Sequence, residues 1–449
     1  MKNLLPEAFV ESVNASAWMN SALLIPALDA DAPVTVRLHP RKKNLWPRER
    51  PVLWCRDGFY LDERPIFTLD PLLHAGGYYV QEASSMFLEV VFQSLQLSEP
   101  CVLDVCAAPG GKSTHLATLL GDSGLLVSNE VIRSRCSALL ENLGKWGMGN
   151  GVVTHNDPAD FQQLPGFFDV VLVDAPCSGE GMFRKDVDAR AQWSPEHVTH
   201  CALRQKRILE DIWPCIKEGG YLVYSTCTFN ETENEKQLVA LREHHQFDSL
   251  RIPLREAWNV VETEMNGIFG YRFFPGQVQG EGFFISVLKK TEWAPSLLLR
   301  KSSKTKNTIF GAFRQSRMPW LTDSFPCEWL TFRDQVLALP ARWVDEIEAI
   351  ASRLTVLQAG TPLGAIKNNK IAPAHELALS VHLAGEVPRL AVNHEQALRY
   401  LRKEALDDMA ANKGFYLVTY QQQPLGWINH LGNRINNLYP ADWRIRMRN

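Results

Sequence analysis

Three short stretches of this chain bring together side chains that can do chemistry. DAPCSGEG, from Asp174 to Gly181, holds a carboxylate and a thiol three residues apart. YSTCT, from Tyr224 to Thr228, holds a second thiol, Cys227, among hydroxyl groups. DVCAAPGGKS, from Asp104 to Ser113, holds two successive glycines followed by a lysine. A thiolate is a strong nucleophile and splits one difficult step into two through a covalent intermediate. A carboxylate such as Asp174 can hydrogen-bond a substrate and stabilise charge that develops on it. Gly110 and Gly111 let the backbone approach a ligand with no Cβ in the way. Taken singly, Cys177 or Cys227 would be read as a small buried hydrophobe. Together, at the ends of adjacent apolar runs and beside a glycine-rich turn, they point to catalysis.

These stretches need a scaffold that gathers them, and the apolar patterning supplies one. From about residue 76, β-branched runs alternate with helix-period stretches, the mark of βαβ units on a mainly parallel sheet. Runs at 101–106, 125–130, 151–157, 169–177 and 220–228 read as five strands, and 282–290 as a last strand at one side of the sheet. Helices are expected near 112–120, and from 132 to about Gly147 with Cys136, Leu139 and Leu143 on one face. Another is expected near 201–217, kinked by Pro214 and ended by Gly219 and Gly220. The acidic run Asn230 to Glu235 reads as a helix start.

Open parallel sheets bind ligands beyond the carboxyl ends of their strands, where all three stretches fall. A carboxylate about 20 residues on, at the end of the next strand, commonly holds ribose hydroxyls, and Glu130 stands there. Asp157 ends the third strand and can accept a hydrogen bond from an adenine amine. An adenosyl group suits this set. A phosphate-binding P-loop does not: Gly111-Lys112-Ser113 matches its tail, but Cys106 stands where its first glycine is required.

Composition narrows the field. The 449 residues are 45% hydrophobic and 22% charged, as in a globular protein of two to four domains. No secretory signal or membrane-spanning run is legible, so a cytoplasmic protein is expected. Nine scattered cysteines form no CxxC pair, which argues against a disulfide framework and against a metal site. The net charge of −3 is no mark of a nucleic-acid binder. Two basic patches, 37–50 and 289–317, could nonetheless hold phosphate, or simply face solvent. Trp46, Tyr439 and Trp443 lie near basic residues and either stack on bases or pack in a core.

The motifs DVCAAPGGKS, DAPCSGEG and YSTCTFNETENE resemble those of the RNA cytosine-5 methyltransferases, the NOL1/NOP2/Sun family. QEASSM (Gln81 to Met86) and YRFFPGQVQGEGFFISVLKK (Tyr271 to Lys290) are similar to that family too. The resemblance implies S-adenosylmethionine as cofactor, held by residues 106–112 (Cys106, Ala107, Ala108, Pro109, Gly110, Gly111, Lys112) with Glu130, Asp157 and Asp174. It implies Cys227 as the nucleophile on cytosine C6, Cys177 as the residue of the release step, Asp174 on the N3/N4 edge of the base, and Lys112 orienting substrate or Asp174. PLGAIKNNKIAP (Pro362 to Pro373) is echoed by PLGWINHLGNRINNLYP (Pro424 to Pro440), which could reflect two small related β units. That tail further resembles the PUA-like end of the bacterial 16S rRNA methyltransferase F group, implying cytosine 1407 of 16S rRNA in the small ribosomal subunit as target.

The expected fold is therefore α/β, a Rossmann-like methyltransferase sheet with a small N-terminal α+β segment and a β-rich PUA-like C-terminal region. The expected divisions are 1–75, an RNA-binding segment; 76–292, the catalytic domain; 293–380, a basic linker and small mixed domain; and 381–449, an RNA-binding domain. RNA is the expected partner, with no membrane and no obligate protein partner. Three rival readings compete: a cytosine-5 methyltransferase acting on tRNA or on DNA (in the DNA enzymes Cys177 would attack), a zinc deaminase, and a non-catalytic RNA-binding assembly factor. The deaminase needs a second cysteine three residues after Pro-Cys, where Glu180 stands.

Overall fold

The computed structural model describes residues 4–43, 46–297, 309–313, 320–322, 325–367, 370–406 and 412–448. The basic connector 300–307 lies outside them. At the centre is a ten-stranded sheet. Five parallel strands lie side by side in the order Gly151–Thr154, Leu125–Asn129, Cys101–Asp104, Phe168–Asp174 and Ile216–Thr226. Chain order reverses between Cys101–Asp104 and Phe168–Asp174, which opens a crevice at their carboxyl ends. Val102, Val170, Leu172 and Val223 fill the core on one face; Leu103, Val171, Val173 and Leu222 fill it on the other. All are fully buried, which is why these strands read as unbroken apolar runs.

The expected last strand, Phe283–Lys290, is antiparallel to Ile216–Thr226 but is not the edge. Ile268–Phe273 and Val261–Met265 continue the sheet beyond it. They form a hairpin turned at Asn266 and Gly267, both with positive φ (+52° and +73°), as a tight two-residue turn demands. The third helix also departs from expectation. It runs Pro195–Ile212, capped by Ser194 accepting from the His197 amide at 3.1 Å, and stops before Pro214. Gly219 and Gly220 do not end it; they lie inside Ile216–Thr226, where the pairing with Phe168–Asp174 slips. The acidic run does lead into a helix, Glu235–Arg242, which starts at its last residue with Asn234 at the N-cap; the residues before it form turns.

The N-terminal part holds two helices, Glu7–Ala15 and Ser21–Asp29, and an antiparallel sheet ordered Gly58–Leu61, Val34–Leu38, Tyr78–Val80. That sheet runs past residue 75. Half of the first basic patch is structural. Arg37 is buried, bonded to Gln81 (2.7 Å) and Thr114 (2.7 Å), and lies over the Trp146 ring. Lys42 donates to the carbonyls of Ala75 (3.0 Å) and Lys145 (2.6 Å), and burial pushes its pKa down to about 7. Arg41 pairs with Asp122.

Two further sheets, of five and four strands, follow the catalytic sheet. The echoing segments take the same form in each. Thr361–Lys367 pairs with Lys370–Pro373, and Gln423–His430 with Ile435–Asn437. On its other side each first strand pairs with an earlier one, and in both copies that register skips the leucine of Pro-Leu-Gly. Those residues, Leu363 and Leu425, are fully buried. Tyr439 is buried against His375 and Tyr400, and Trp443 packs on His375, so both serve packing; Trp46 stacks edge-on to Tyr78. Among the described residues no helix is long and apolar enough to cross a membrane.

The C-terminal part meets the catalytic domain at several places, among them the Trp343 indole, which donates to the Ser123 carbonyl at 2.8 Å. Val356–Ala359 adds to the sheet edge alongside Gly151–Thr154. Gly147, which ends the helix Arg133–Trp146 at φ +75°, accepts a hydrogen bond from the Val381 amide, and a Cβ there would sit 2.2 Å from the Leu379 carbonyl oxygen. Gly147→Ala is therefore expected to destabilise the protein by about 2 kcal/mol or more through left-handed strain plus this clash. Thermal unfolding of the two proteins checks it, and an unchanged midpoint would refute the joint.

Candidate active site

Parallel pairing sets the site. Asp174 lies opposite Ser225, so the segments that follow each leave the sheet together at its carboxyl edge. Cys177 and Cys227 meet there with their sulfurs 3.1 Å apart, each residue partly exposed. The two loops are stitched to each other. The Gly181 amide donates to the Cys227 carbonyl at 2.9 Å, and the hydroxyls of Ser178 and Thr228 are 3.1 Å apart. This closeness requires glycine: a Cβ on Gly181 would come 2.6 Å from the Gly282 carbonyl and 2.8 Å from that of Cys227.

Lys112 reaches the same edge from the first turn of Gly111–Leu120 and donates to Asp174 at 2.7 Å. Ser225 donates to the other Asp174 oxygen at 2.8 Å. Burial lowers the Lys112 pKa, but the Asp174 charge and hydrogen bond outweigh it, so the ammonium is held above its ordinary value. The Cys177 thiol is pushed up, first by its hydrogen bond to Cys227, then by burial and the charges of Cys227 and Glu233.

Support comes from the N-terminal helices, which pack on the cysteine loops: Phe9 meets Phe183 edge-on at 5.0 Å and Trp193 at 5.8 Å. Phe229, two residues after Cys227, belongs to the same cluster. Arg190 ties this layer to Asp29 and to the Leu28 carbonyl. Glu180 is buried and accepts from the Phe229 amide (2.6 Å), the Asn230 amide (3.0 Å) and the Trp193 indole (3.0 Å). Residue types and spacing do not single out Glu180, Ser225 or Glu233. Their one legible signal is their place inside the cysteine motifs.

The expected cofactor residues follow the carboxyl ends of the strands Cys101–Asp104, Leu125–Asn129, Gly151–Thr154 and Phe168–Asp174. Gly110 adopts φ +114° and begins the helix without a side-chain cap. Glu130 is buried; one oxygen accepts from the Ile132 amide at 2.8 Å, and the other has no hydrogen-bond partner, with Arg135 3.4 Å away. A buried carboxylate oxygen left open is what a ribose hydroxyl would fill. Asp104 also keeps one oxygen without a partner, while Ser113 donates to the other at 2.6 Å. Asp157 is engaged locally, capping the turn Pro158–Gln163 through the Ala159 amide and lying 3.4 Å from Arg207. Cys106 is partly buried behind the turn, and burial pushes its thiol well up.

Comparison with solved structures agrees with this fold. A methyltransferase homolog protein from Pyrococcus horikoshii is 26% identical, with a TM-score of 0.54 over 64% of this chain and 95% of that one. NSun6 from Pyrococcus horikoshii with SFG shares the fold at 19% identity and a TM-score of 0.52 over 64% of this chain and 98% of that one. Fold and crevice together define an S-adenosylmethionine-dependent methyltransferase. Sequence models of three parts match in order: an N-terminal domain of 16S rRNA methyltransferase RsmF at 5–83, 16S rRNA methyltransferase RsmB/F at 93–289, and a methyltransferase RsmF PUA domain at 387–445. The ribosomal RNA small subunit methyltransferases F of Shewanella oneidensis and Escherichia fergusonii are 34% and 31% identical, each over 87% of this chain and 84% of theirs. The chain belongs to this methyltransferase F family.

Asp104 gives the site a pH signature. Burial raises its pKa from 3.8 to about 7, against the opposing Ser113 hydrogen bond. Between those two values the folded state holds a proton that the unfolded chain has released, so this group's contribution to stability falls as pH rises and levels off above about 7. Asp104→Asn should remove that fall. Thermal midpoints of both proteins between pH 4 and 8 test it, and parallel curves would refute it.

Proposed function

We propose that this chain transfers a methyl group from S-adenosylmethionine to carbon 5 of a cytosine in small-subunit ribosomal RNA, cytosine 1407 of 16S rRNA, through a transient bond from Cys227 to carbon 6. The observation that carries this reading is the pair of sulfurs 3.1 Å apart beside the Lys112–Asp174 ion pair, at the mouth of the crevice. One thiol at such an edge serves a nucleophile; two in contact serve a reaction that must both make and break a bond to sulfur.

Carbon 5 of cytosine is a poor nucleophile. Addition of the Cys227 thiolate to carbon 6 moves electron density to carbon 5, which can then take a methyl group. Asp174 hydrogen-bonds the N3/N4 edge of the base and stabilises the charge that develops there, with Lys112 and Ser225 fixing its carboxylate. Lys112 also keeps positive charge near Cys227, which favours the thiolate. After transfer the proton on carbon 5 must leave and the carbon–sulfur bond must break. In this reading Cys177, as thiolate, takes up that proton, and the electron pair left on carbon 5 restores the 5,6 double bond as Cys227 departs as a thiolate. The donor supplies an electrophilic methyl on sulfur; Glu130 would hold its ribose hydroxyls, Asp157 its adenine amine, and 106–112 its amino-acid end. The base reaches this edge only when unstacked, which an RNA loop permits at small cost. The flanking sheets position the RNA.

Labelled donor and small-subunit RNA from cells lacking the protein provide the test. Cys227→Ala should lower transfer at least about a thousandfold. Cys177→Ser should instead leave a protein–RNA adduct stable on a denaturing gel. Transfer surviving in Cys227→Ala would point to another nucleophile, absence of transfer by the wild type would point to an assembly factor, and loss of adduct in Cys177→Ser would point to Cys177 as the attacking sulfur. Glu130→Ala should weaken donor binding by about tenfold to a hundredfold in calorimetry, the worth of one or two charge-assisted hydrogen bonds; unchanged affinity would remove it from the cofactor set.

A further inference from the structure

Two adjacent buried residues each bracket one of the two cysteines. Glu233 holds the Cys177 side. Its carboxylate accepts from the Ser178 amide at 2.9 Å, from the Ser178 hydroxyl, from Gln205 at 2.8 Å and from Asn230 at 2.8 Å. Gln205 in turn donates to the Pro176 carbonyl at 3.0 Å, so the residues before and after Cys177 are both fixed through one carboxylate. Asn234 holds the Cys227 side. Its Oδ1 accepts from the Thr226 hydroxyl at 2.5 Å and its Nδ2 donates to the Thr228 carbonyl at 3.1 Å. Both side chains are completely buried. The dipeptide is itself anchored: the Tyr224 hydroxyl donates to the Glu233 carbonyl at 2.6 Å, and the Glu233 amide donates to Asn230 at 2.9 Å.

We propose that Glu233 and Asn234 are the positioning pair of this site, Glu233 holding the release cysteine and Asn234 the nucleophile. The assignment rests on the two-cysteine reading above. Neither residue touches the crevice; each acts through the loop it ties down. The pair differs in charge as well as in target. A carboxylate beside Cys177 favours the protonated thiol there, while the residue that ties down the Cys227 loop is a neutral amide. Glu180 and Glu235 are further buried carboxylates in this layer; Glu235 is paired with Arg272, and Asn230 bridges Glu180 to Glu233, donating to both at 3.0 and 2.8 Å. Glu180 bonds the Phe229 and Asn230 amides and the Trp193 indole, not the Cys177 loop, so Glu180 and Glu233 have separate jobs.

The experiment measures adduct formation and adduct release separately, with labelled donor and small-subunit RNA lacking the methyl group. Glu233→Gln keeps the shape but removes the charge and one acceptor. It should form adduct within about threefold of the wild-type rate and release it about tenfold or more slowly. The pH dependence of release should move to lower pH, because the neighbouring negative charge is gone. Glu233→Asp keeps the charge, and its release should retain the wild-type pH dependence even if slowed. Asn234→Ala should show the converse, adduct formation slowed about tenfold with release unchanged. A common factor on both steps in Glu233→Gln and Asn234→Ala, or wild-type behaviour in both, overturns the assignment. Cys177→Ala runs beside them: a trapped adduct there with wild-type release in Glu233→Gln overturns this assignment alone, and no trapped adduct overturns the two-cysteine reading with it.

Discussion

The site depends on one constraint, the parallel register of two neighbouring strands. With Asp174 set opposite Ser225, both chains leave the sheet at the same height and on the same edge. The sulfurs then need only two or three further residues to meet. An antiparallel pair would have sent the two cysteines to opposite ends of the sheet. A slip of one residue would have turned Asp174 or Ser225 to the other face and broken the hydrogen bond between them. Register is safe here because both faces are core, filled by Val170 and Leu172 on one side and Val171 and Val173 on the other.

Around that edge the molecule accepts buried charge that a purely structural design would avoid. Glu180, Glu233 and Glu235 are all buried, each a short way along the chain from one of the two cysteines. Each is matched by several donors, and Glu235 is paired with the buried guanidinium of Arg272. Such groups cost free energy to bury and are tolerated when their partners are complete. The return is geometric. Loops without regular structure are held to each other by side-chain bonds, and aromatic packing from Phe9 closes over them. The N-terminal helices, which the expected divisions place in a separate segment, are thus part of the wall behind the cysteines.

Much of this architecture is legible in the amino-acid sequence itself. The parallel strands announce themselves as apolar runs because they are covered on both faces, and glycine and proline fix the turns between them. The cysteines, Asp174, Lys112 and Glu130 stand out because chemistry limits which residue types can serve. The elements that escape such reading do so for physical reasons. The helix Pro195–Ile212 starts at a Ser-Pro pair that is a sound helix-start signal, but its apolar face becomes strong only further along. The hairpin after Asn259 is hidden because strands at the side of a sheet carry polar residues, although Asn266-Gly267 is a tight-turn pair. In NETENE only Glu235 opens the helix, whereas Glu233 is a buried acceptor; the two kinds of acid look alike in sequence, and only the donors around Glu233 tell them apart. Arg37 and Lys42 pass for surface charge for the same reason.

The short strand Val356–Ala359 has a consequence beyond topology. It lies along Gly151–Thr154, the outer member of the parallel set, and occupies hydrogen-bonding groups that would otherwise face water. A sheet margin left bare is a template for another chain. The segment after the catalytic domain thus covers an edge of the catalytic sheet, and the two are not interchangeable modules. A fragment ending near residue 290 would keep every reactive group and still be prone to self-association, so solubility, rather than chemistry, sets how short this enzyme can become.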